Sequence, residues 1–334
     1  MKKRPDLAKI YQGKKVLITG GMGFIGSSLA HRLAALKADV TVLDCFLPDH
    51  GANPFNISGI EDVIRVVRGD IRDKEAVEVH IDGKDYIFNL AAQVLHVDSM
   101  RNSRTDLDIN CGGQLNVLES CRQLNPTVKV VFASTRQVYG RPDYLPVDEK
   151  HPLRPVDING IHKIAAEQYH ALYHKVYGLR TVSLRLTNTY GPRQIMKHNR
   201  ANFIGWLIRQ AIDKEEISIF GDGLQLRDFT YIDDAVDAFL LCGASELADG
   251  EVFNLGGEKP YTLLDYVKML LKLCPGGSYK CVPFPAERKN IDIGSVYTGY
   301  DKIKNIIGWS PEVHLEEGLT RTIVFFKENR SDYW

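Results

Sequence analysis

The stretch Lys15–Ala35, KVLITGGMGFIGSSLAHRLAA, places four glycines between an apolar strand pattern and an amphipathic helix pattern. Three of them, at positions 20, 23 and 26, have the spacing G-x-x-G-x-x-G. Glycines there permit a tight turn, let the backbone approach a pyrophosphate, and allow the helix to pack close to the sheet. The N-terminus of the helix carries a partial positive charge that favours a phosphate. The stretch therefore predicts the dinucleotide-binding turn of a parallel α/β sheet.

An acidic residue ends the next predicted strand. The apolar run Asp39–Leu43 leads directly into Asp44, which lies 24 residues after Gly20. A carboxylate at this position accepts hydrogen bonds from the ribose hydroxyls of adenosine and repels a 2′-phosphate. Because no arginine follows Asp44 directly, the sequence favours NAD over NADP. Asp70, after the third strand, is expected either to face the adenine or to cap a loop.

Strand patterns alternate with helix patterns through the first half of the chain. This alternation predicts a doubly wound parallel sheet of the Rossmann type, with right-handed crossovers and helices on both faces. The predicted strands are Lys15–Thr19, Asp39–Leu43, Val63–Arg68, Tyr86–Asn89, Lys129–Ala133 and Arg180–Leu186, and the predicted long helices are Asp106–Gln123 and Asn159–Tyr177.

The alternation stops after about residue 190. We predict an NAD-binding domain over 1–190, which strands and helices of the later chain also join. A smaller substrate-binding lobe is predicted over 191–334 and is interleaved with that domain. The elements predicted for this part are a helix Phe203–Ala211, strands Ser218–Phe220 and Val252–Leu255, and a Pro/Gly-rich stretch Cys274–Pro285. Open α/β sheets bind ligands at the carboxyl ends of their strands, so we expect the cleft between the two parts.

Composition argues against several classes of protein. Lys plus Arg and Asp plus Glu each number 42, so the formal net charge is zero, which does not favour a nucleic-acid partner. No apolar run approaches the ~20 residues that span a bilayer, and the charged first residues do not look like a signal peptide. The six cysteines form no CxxC pair, so we expect buried, reduced thiols in a cytoplasmic protein and no metal site.

Further motifs accompany the glycines. They are Gly69-Asp70, Asn89-Leu90-Ala91-Ala92, Ser134-Thr135, Val138-Tyr139-Gly140, Lys163 and Arg227-Asp228. Together they make residues 14–327 resemble the extended short-chain dehydrogenases/reductases, in particular the nucleotide-sugar epimerases and dehydratases of the UDP-glucose 4-epimerase type. The resemblance implies that bound NAD takes a hydride from a sugar carbon, usually C4, to give a keto-sugar that is reduced again.

The resemblance also implies roles for individual residues. Thr135 is expected to hydrogen-bond the reacting sugar oxygen, and Lys163 to hold the nicotinamide ribose and lower the pKa of a neighbouring phenol. That phenol is missing, since Asn159 stands where the family has tyrosine in Tyr-x-x-x-Lys, and an amide is no general base near neutral pH. A relay through Thr135 and water, supported by the charge of Lys163, is the favoured replacement, and His162 is the competing candidate.

Ligand-contacting residues follow from the same resemblance. The nucleotide-sugar diphosphate is expected to contact Asn188, Arg227 and Arg288, since a guanidinium gives a phosphate two parallel charge-assisted bonds. The residues expected to contact NAD are Gly20, Gly23, Phe24, Ile25, Gly26, Asp44, Asp70, Ile71, Leu90, Ala91, Ala92, Asn110 and Lys163.

The residues after Thr135 bear on the reaction. The 4,6-dehydratases carry Asp-Glu there and the UDP-glucuronate decarboxylases carry a Glu at the second position, whereas this chain has Arg136 and Gln137. We therefore expect an epimerase, most simply at C4 of a UDP-sugar. The alternatives are a nucleotide-sugar 4-dehydrogenase, a decarboxylase or dehydratase, and a catalytically weakened protein that binds NAD and a nucleotide-sugar. Many relatives dimerise through two long helices, which predicts a homodimer.

Arg136 carries a separate hypothesis. Its aligned neighbours in the dehydratases act at C5 and C6 of the sugar, so its cation is expected near C6, where it would suit the carboxylate of a uronic acid. The alternative is that Arg136 pairs with a nearby acid and points away from the site.

Overall fold

The computed structural model describes residues 4–47, 49–198, 203–284 and 292–334. Its strands are β1 (Lys15–Thr19), β2 (Asp39–Asp44), β3 (Ile64–Arg68), β4 (Tyr86–Asn89), β5 (Lys129–Thr135), β6 (Arg180–Leu186), β7 (Asn188–Tyr190), β8 (Glu216–Phe220), β9 (Leu226–Arg227), β10 (Phe229–Tyr231), β11 (Val252–Asn254), β12 (Tyr261–Thr262) and β13 (Ser278–Val282). Its α-helices are α1 (Leu7–Tyr11), α2 (Phe24–Ala35), α3 (Lys74–Ile81), α4 (His96–Arg101), α5 (Ser103–Leu107), α6 (Gln114–Leu124), α7 (Ile158–Tyr177), α8 (Phe203–Ile212), α9 (Ile232–Ala244), α10 (Leu263–Leu273), α11 (Asp301–Ile307), α12 (Leu315–Glu328) and α13 (Arg330–Tyr333). Short 3₁₀ helices cover Pro54–Ile57, Arg136–Tyr139 and Glu246–Ala248.

The central sheet has seven parallel strands in the order β11-β6-β5-β4-β1-β2-β3. The chain winds outward from β1 in one direction to β3 and in the other to β11, so the order reverses between β1 and β4. The predicted doubly wound parallel sheet is confirmed. Ligands of such sheets bind beyond the carboxyl ends of the strands at this reversal, where the glycine turn follows β1.

Both faces of the sheet are buried. Along β1, Val16 and Ile18 belong to one hydrophobic core, which contains Leu29 of α2, whereas Leu17 belongs to another, which contains Val117 of α6. Successive side chains of a strand point to opposite faces, so one continuous apolar strand supplies both layers. At about 25 cal/mol per Å² of apolar area, this burial provides the main stabilisation of the sheet.

The later chain forms smaller paired strands above the sheet and also returns to it. β8 pairs in parallel with β13, β9 pairs with β12, and β7 pairs with β10. β11 joins the edge of the main sheet beside β6. For residues 274–285 the sequence predicts only a Pro/Gly-rich stretch and no strand. The structure has β13 there, and most of its side chains are exposed. The division at residue 190 stays a prediction.

The predicted helix Asp106–Gln123 is not one regular α-helix. α5 ends at Leu107, a π-helical segment spans Asp108–Gly113, and α6 begins at Gln114. Glycine is a poor helix former, and a β-carbon added at Gly113 would lie 2.6 Å from the Ile71 side chain. The glycine therefore lets this segment lie close to Ile71, in the loop after β3.

The cysteine prediction is only partly right. Cys111, Cys121, Cys242 and Cys274 are buried and free, but Cys45 is half-buried and Cys281 is exposed on β13. In the described ranges, no group of three or more His, Cys, Asp or Glu side chains could hold a metal ion. None of the helices in these ranges is long and apolar enough to cross a membrane.

Candidate active site

A cavity of about 800 Å³ lies where the sequence predicted the cleft, between the carboxyl ends of the sheet strands and the elements that follow residue 190. The glycine turn lines this cavity, and so do Phe203, Phe220 and Arg227 from the later part of the chain. The predicted NAD-contacting residues in its wall are Gly20, Gly23, Phe24, Ile25, Gly26, Asp44, Asp70, Ile71, Leu90, Ala91, Ala92 and Lys163.

The glycine turn forms a close-packed cradle at the N-terminus of α2. Gly20 has φ +70°, and a β-carbon there would lie 2.9 Å from the Ala91 backbone. A β-carbon at Gly26 would collide with the Gly20 carbonyl oxygen. Gly23 faces the cavity, and its own N–H donates to the Gly20 carbonyl oxygen (3.3 Å). The turn therefore leaves room for a pyrophosphate at the positive end of a helix and fits the expected dinucleotide.

Asp44 lies at the end of β2 with its carboxylate in the cavity wall. The Met22 N–H donates to its Oδ2 (3.0 Å) and the Phe46 N–H donates to its Oδ1 (2.9 Å). A carboxylate offers about four lone-pair sites, so these two bonds fix its direction and leave acceptors for ribose hydroxyls. Burial raises the pKa of Asp44 from its ordinary value.

Thr135 and Lys163 lie in the same cavity wall, at the end of β5 and on α7. The Lys163 ammonium is buried and donates to the Ala133 carbonyl oxygen (3.0 Å), which holds it against β5. Burial lowers the pKa of Lys163 to about 8. The Gln137 N–H donates to Thr135 Oγ1 (3.3 Å) and leaves the hydroxyl proton free to be donated to a ligand.

Asn159 occupies the wall one helical turn before Lys163, and its amide is fixed by two acceptors. Its Nδ2 donates to the Gln93 carbonyl oxygen (2.8 Å) and to Asp106 Oδ2 (3.1 Å). Because both neighbours are acceptors, the nitrogen must face them. The carbonyl oxygen of Asn159 is therefore the group left for the cavity, so this residue can accept a hydrogen bond from a ligand but cannot donate one.

Three predicted substrate residues come from three different elements. Arg136 follows β5, Asn188 begins β7 and Arg227 ends β9, and all three line the cavity. Arg136 Nη2 donates to Asn188 Oδ1 (3.2 Å), and Arg227 Nη1 donates to the Leu226 carbonyl oxygen (2.7 Å). The fourth prediction, Arg288, lies outside the described residues.

The chain matches known proteins along most of its length. Residues 16–256 match the model of the NAD dependent epimerase/dehydratase family. The chain belongs to this family. It is 31% identical to a CDP-paratose 2-epimerase of Salmonella typhi, over 92% of this chain and 97% of that protein. Its fold is similar to a UDP-glucose 4-epimerase of Thermotoga maritima, solved with UDP-glucose, with a TM-score of 0.84, 32% identity and coverage of 95% and 99%. It is also similar to a dTDP-glucose 4,6-dehydratase of Streptomyces venezuelae, with a TM-score of 0.85, 28% identity and coverage of 95% and 98%.

In this member of the NAD-dependent epimerase/dehydratase family, two predicted site residues do not line the cavity. Asn110 is fully buried, and both ends of its amide bond the backbone of Gln93: Nδ2 donates to the carbonyl oxygen (2.9 Å) and Oδ1 accepts from the N–H (3.2 Å). His162 directs Nδ1 at Asp106 Oδ1 (2.6 Å). Asn110 thus holds the segment after β4, and His162 helps to position the carboxylate that holds Asn159.

Sequence reasoning missed a buried charged network beneath the site. Glu167 of α7 accepts from Ser134 Oγ (2.7 Å) and from Arg185 Nε (2.9 Å), and Arg185 Nη1 donates to the Tyr139 hydroxyl (2.6 Å). Glu167 and Arg185 are 0% and 4% exposed. The feature of the sequence that could have predicted this network is a glutamate in a predicted helix and an arginine inside the apolar strand that follows it. The network fixes β5, whose last residue is Thr135.

We expect NAD⁺ to bind this protein at least about 100-fold more tightly than NADP⁺, because Asp44 would repel a 2′-phosphate. Calorimetric titration with both nucleotides measures the ratio. Asp44→Ala should shrink it to below about tenfold, whereas Asp39→Asn, at the opposite and exposed end of β2, should leave it unchanged. Equal affinities in the wild type would show that Asp44 does not select the cofactor.

Proposed function

We propose that this protein is an NAD-dependent nucleotide-sugar epimerase that acts at C4 through a 4-keto-sugar. The main support for this proposal is that Arg136 and Gln137, the two residues that follow Thr135 in the chain, line the cavity. Neither side chain can exchange protons as a carboxylate does. Removal of water from the sugar needs such an extra acid or base, and the decarboxylases that the sequence resembles carry a glutamate where this chain has Gln137. Epimerisation at C4 needs no extra acid or base. Two relatives that are themselves epimerases support the same reaction class.

The residues of the cavity divide the work around the sugar. NAD, when bound, supplies the hydride chemistry by accepting a hydride from the sugar carbon and returning it. Thr135 relays a proton between the sugar oxygen and water: its Oγ1 accepts the proton of the sugar hydroxyl while its own proton passes to water as the hydride leaves, and the relay runs in reverse when the hydride returns. The Lys163 ammonium stabilises the negative charge that develops on that oxygen, and such electrostatic stabilisation is commonly the largest contribution to catalysis. Asn159 accepts a hydrogen bond from a sugar hydroxyl and orients the ring.

The diphosphate of the substrate is assigned to Arg227 and Asn188 in the cavity wall. Arg227 is 8% exposed and its guanidinium is held by backbone carbonyls, so it is preorganised for an anion. Asn188 Nδ2 has one hydrogen engaged with the Asp228 carbonyl oxygen (2.9 Å) and one available to a phosphate. A UDP-sugar is the proposed substrate, in line with the UDP-glucose bound to one structural relative.

The test is a panel of UDP-, GDP-, CDP- and dTDP-sugars incubated with the NAD-loaded protein and followed by NMR. An epimer at C4 is the expected product. A keto-sugar that accumulates would indicate a 4-dehydrogenase, and loss of water or of CO₂ would indicate a dehydratase or a decarboxylase. Sugar-nucleotide binding with no product would favour the non-catalytic binding protein.

We also propose a homodimer through α6 and α7. Three exposed apolar residues, Ile161, Leu172 and Val176, fall within about 60° of one another around α7. Their side chains are 51%, 51% and 57% exposed, and Leu124 at the end of α6 is 45% exposed.

Covering this apolar stripe with a second copy would bury it. Sedimentation equilibrium should give twice the chain mass, and the double variant Leu172→Glu/Val176→Glu should give a monomer. Val79→Glu, at an apolar position on α3 that is 75% exposed, is the control and should stay dimeric. A monomeric wild type would contradict the proposal.

A further inference from the structure

Arg136 brings a cation into the cavity without a matching acid. Its Nη2 donates to Asn188 Oδ1 (3.2 Å), while its Nη1 is buried and has no hydrogen-bond partner among the described residues. Burial lowers the pKa of Arg136. A buried guanidinium with unused donors is costly unless an anion or a set of acceptors reaches it. Because Arg136 lines the cavity, a ligand can supply that anion.

Asp228, the acid whose charge acts on Arg136, is already engaged elsewhere. Asp228 is buried, and its Oδ1 accepts from the Thr187 hydroxyl (2.5 Å), while its Oδ2 accepts from the N–H (3.0 Å) and hydroxyl (2.6 Å) of Thr298. No ion pair within 4.0 Å joins Arg136 to an acid in the described part of the chain. The alternative predicted from the sequence, an Arg136 that pairs with an acid and points away, is therefore not what the structure shows.

A second cation lies in the same wall. Arg227 has a pKa lowered to about 10, first by burial and then by the charge of Arg136. The two negative charges of a diphosphate are enough for both guanidinium groups if both reach it. The place of Arg136 in the fold therefore decides whether it meets the diphosphate or a second, separate anion on the ligand.

The position of Arg136 in the chain points to the sugar end. Arg136 directly follows Thr135 at the end of β5, and the backbone of β5 also holds the Lys163 ammonium. Arg227, in contrast, belongs to β9, which pairs with β12 beyond the main sheet. The Arg136 guanidinium therefore originates beside the proposed proton-transfer groups, whereas the Arg227 guanidinium originates in the smaller lobe.

We propose that Arg136 binds a carboxylate on the sugar, so that the preferred substrate is a nucleotide-linked uronic acid; this inference rests on the proposed function. The two terminal nitrogens of a guanidinium can donate parallel hydrogen bonds to both oxygens of a carboxylate. Asn188 fixes the guanidinium from one side, because its Oδ1 accepts from Arg136 and its Nδ2 is bonded to the Asp228 carbonyl oxygen. A side chain held in this way loses little freedom when the ligand binds.

The test measures binding to the NAD-loaded protein and does not depend on turnover. Thermal shift with UDP, GDP, CDP and dTDP first selects the nucleotide. Calorimetry then compares that nucleoside diphosphate alone, its glucose derivative and its glucuronate derivative, in the wild type and in Arg136→Met. We expect the glucuronate to bind the wild type about 10- to 100-fold more tightly than the glucose derivative, as for a charge-assisted hydrogen-bonded pair. Arg136→Met should lose this preference and bind the other two ligands within about twofold of the wild type.

Two further variants distinguish binding of the sugar carboxylate from binding of the diphosphate. Arg227→Met is the matched control and should weaken all three ligands alike, because each carries the diphosphate. Arg136→Lys keeps the charge without the planar fork and should show an intermediate preference. The proposal is overturned if Arg136→Met also weakens all three ligands alike, if the wild type does not prefer the glucuronate, or if no nucleotide binds. A uronate preference without an epimer by NMR would instead refute only the proposed reaction, and an epimerase that prefers neutral sugars would refute only this inference.

Discussion

Replacing Lys163 with methionine is expected to lower kcat by about 10²- to 10³-fold, as for the loss of a group that stabilises negative charge in the transition state. Methionine keeps the packing against Phe132, over whose ring the ammonium lies at 5.0 Å, but removes the charge from the cavity. NMR assays of the epimer measure the rate. NAD content must be measured in the same samples, since Lys163 is also predicted to hold the nicotinamide ribose.

Neighbouring variants test whether the proton path runs through Thr135. Thr135→Val removes the hydroxyl at nearly constant volume and should be almost inactive. His162→Ala should stay active, because the ring lies outside the cavity wall. Asn159→Tyr should keep or gain rate, since it restores the phenol that the family uses. An inactive His162→Ala together with an active Thr135→Val would place the proton path on the imidazole.

The pH profile gives a second measure of Lys163. With a pKa of about 8, the side chain is an ammonium below that pH and a neutral amine above it. Since the cation stabilises the developing negative charge, kcat should fall as the pH rises through about 8. This descending limb should be absent from the residual activity of Lys163→Met.

Removing the carboxylate of Glu167 is expected to lower the free energy of unfolding by about 3–5 kcal/mol, because Arg185 would be left buried and unpaired. Glu167 accepts from Arg185 and from Ser134, so the alanine variant also leaves the Ser134 hydroxyl without its acceptor. Urea denaturation of Glu167→Ala and of the wild type, both freed of nucleotide, gives the difference.

An exposed pair of the same chemistry is the control for Glu167. Glu317 and Arg321 form an ion pair on α12 in which the side chains are 48% and 47% exposed. Glu317→Ala should change the free energy of unfolding by less than about 0.5 kcal/mol, since solvent screens such pairs. Equal losses for the two variants would mean that the burial of the Glu167–Arg185 pair does not control its energy.

The NAD end of the cavity was predictable from neighbouring residues along the chain. The spacing of Gly20, Gly23 and Gly26 and the position of Asp44 at a strand end rest on local geometry: a tight turn, a helix N-terminus and a side chain that ends a strand. The strand and helix bounds followed from side-chain periodicity, and the exceptions have local causes. The π-helical segment ends at Gly113, where a glycine allows close approach to Ile71, and β13 has too few buried residues to show a strand pattern.

The sugar end depended on residues that are distant along the chain. The motif identified Asn159, but its orientation follows from Asp106 and Gln93, which are 53 and 66 positions away. The sequence left open whether Arg136 pairs with an acid, and Asn188, 52 positions away, shows the side chain held in the cavity wall. The order of the parallel strands and the close packing of α5 and α7 bring these groups together. A hydrogen bond depends on distance and angle in space, which residue types and spacing along the chain do not specify.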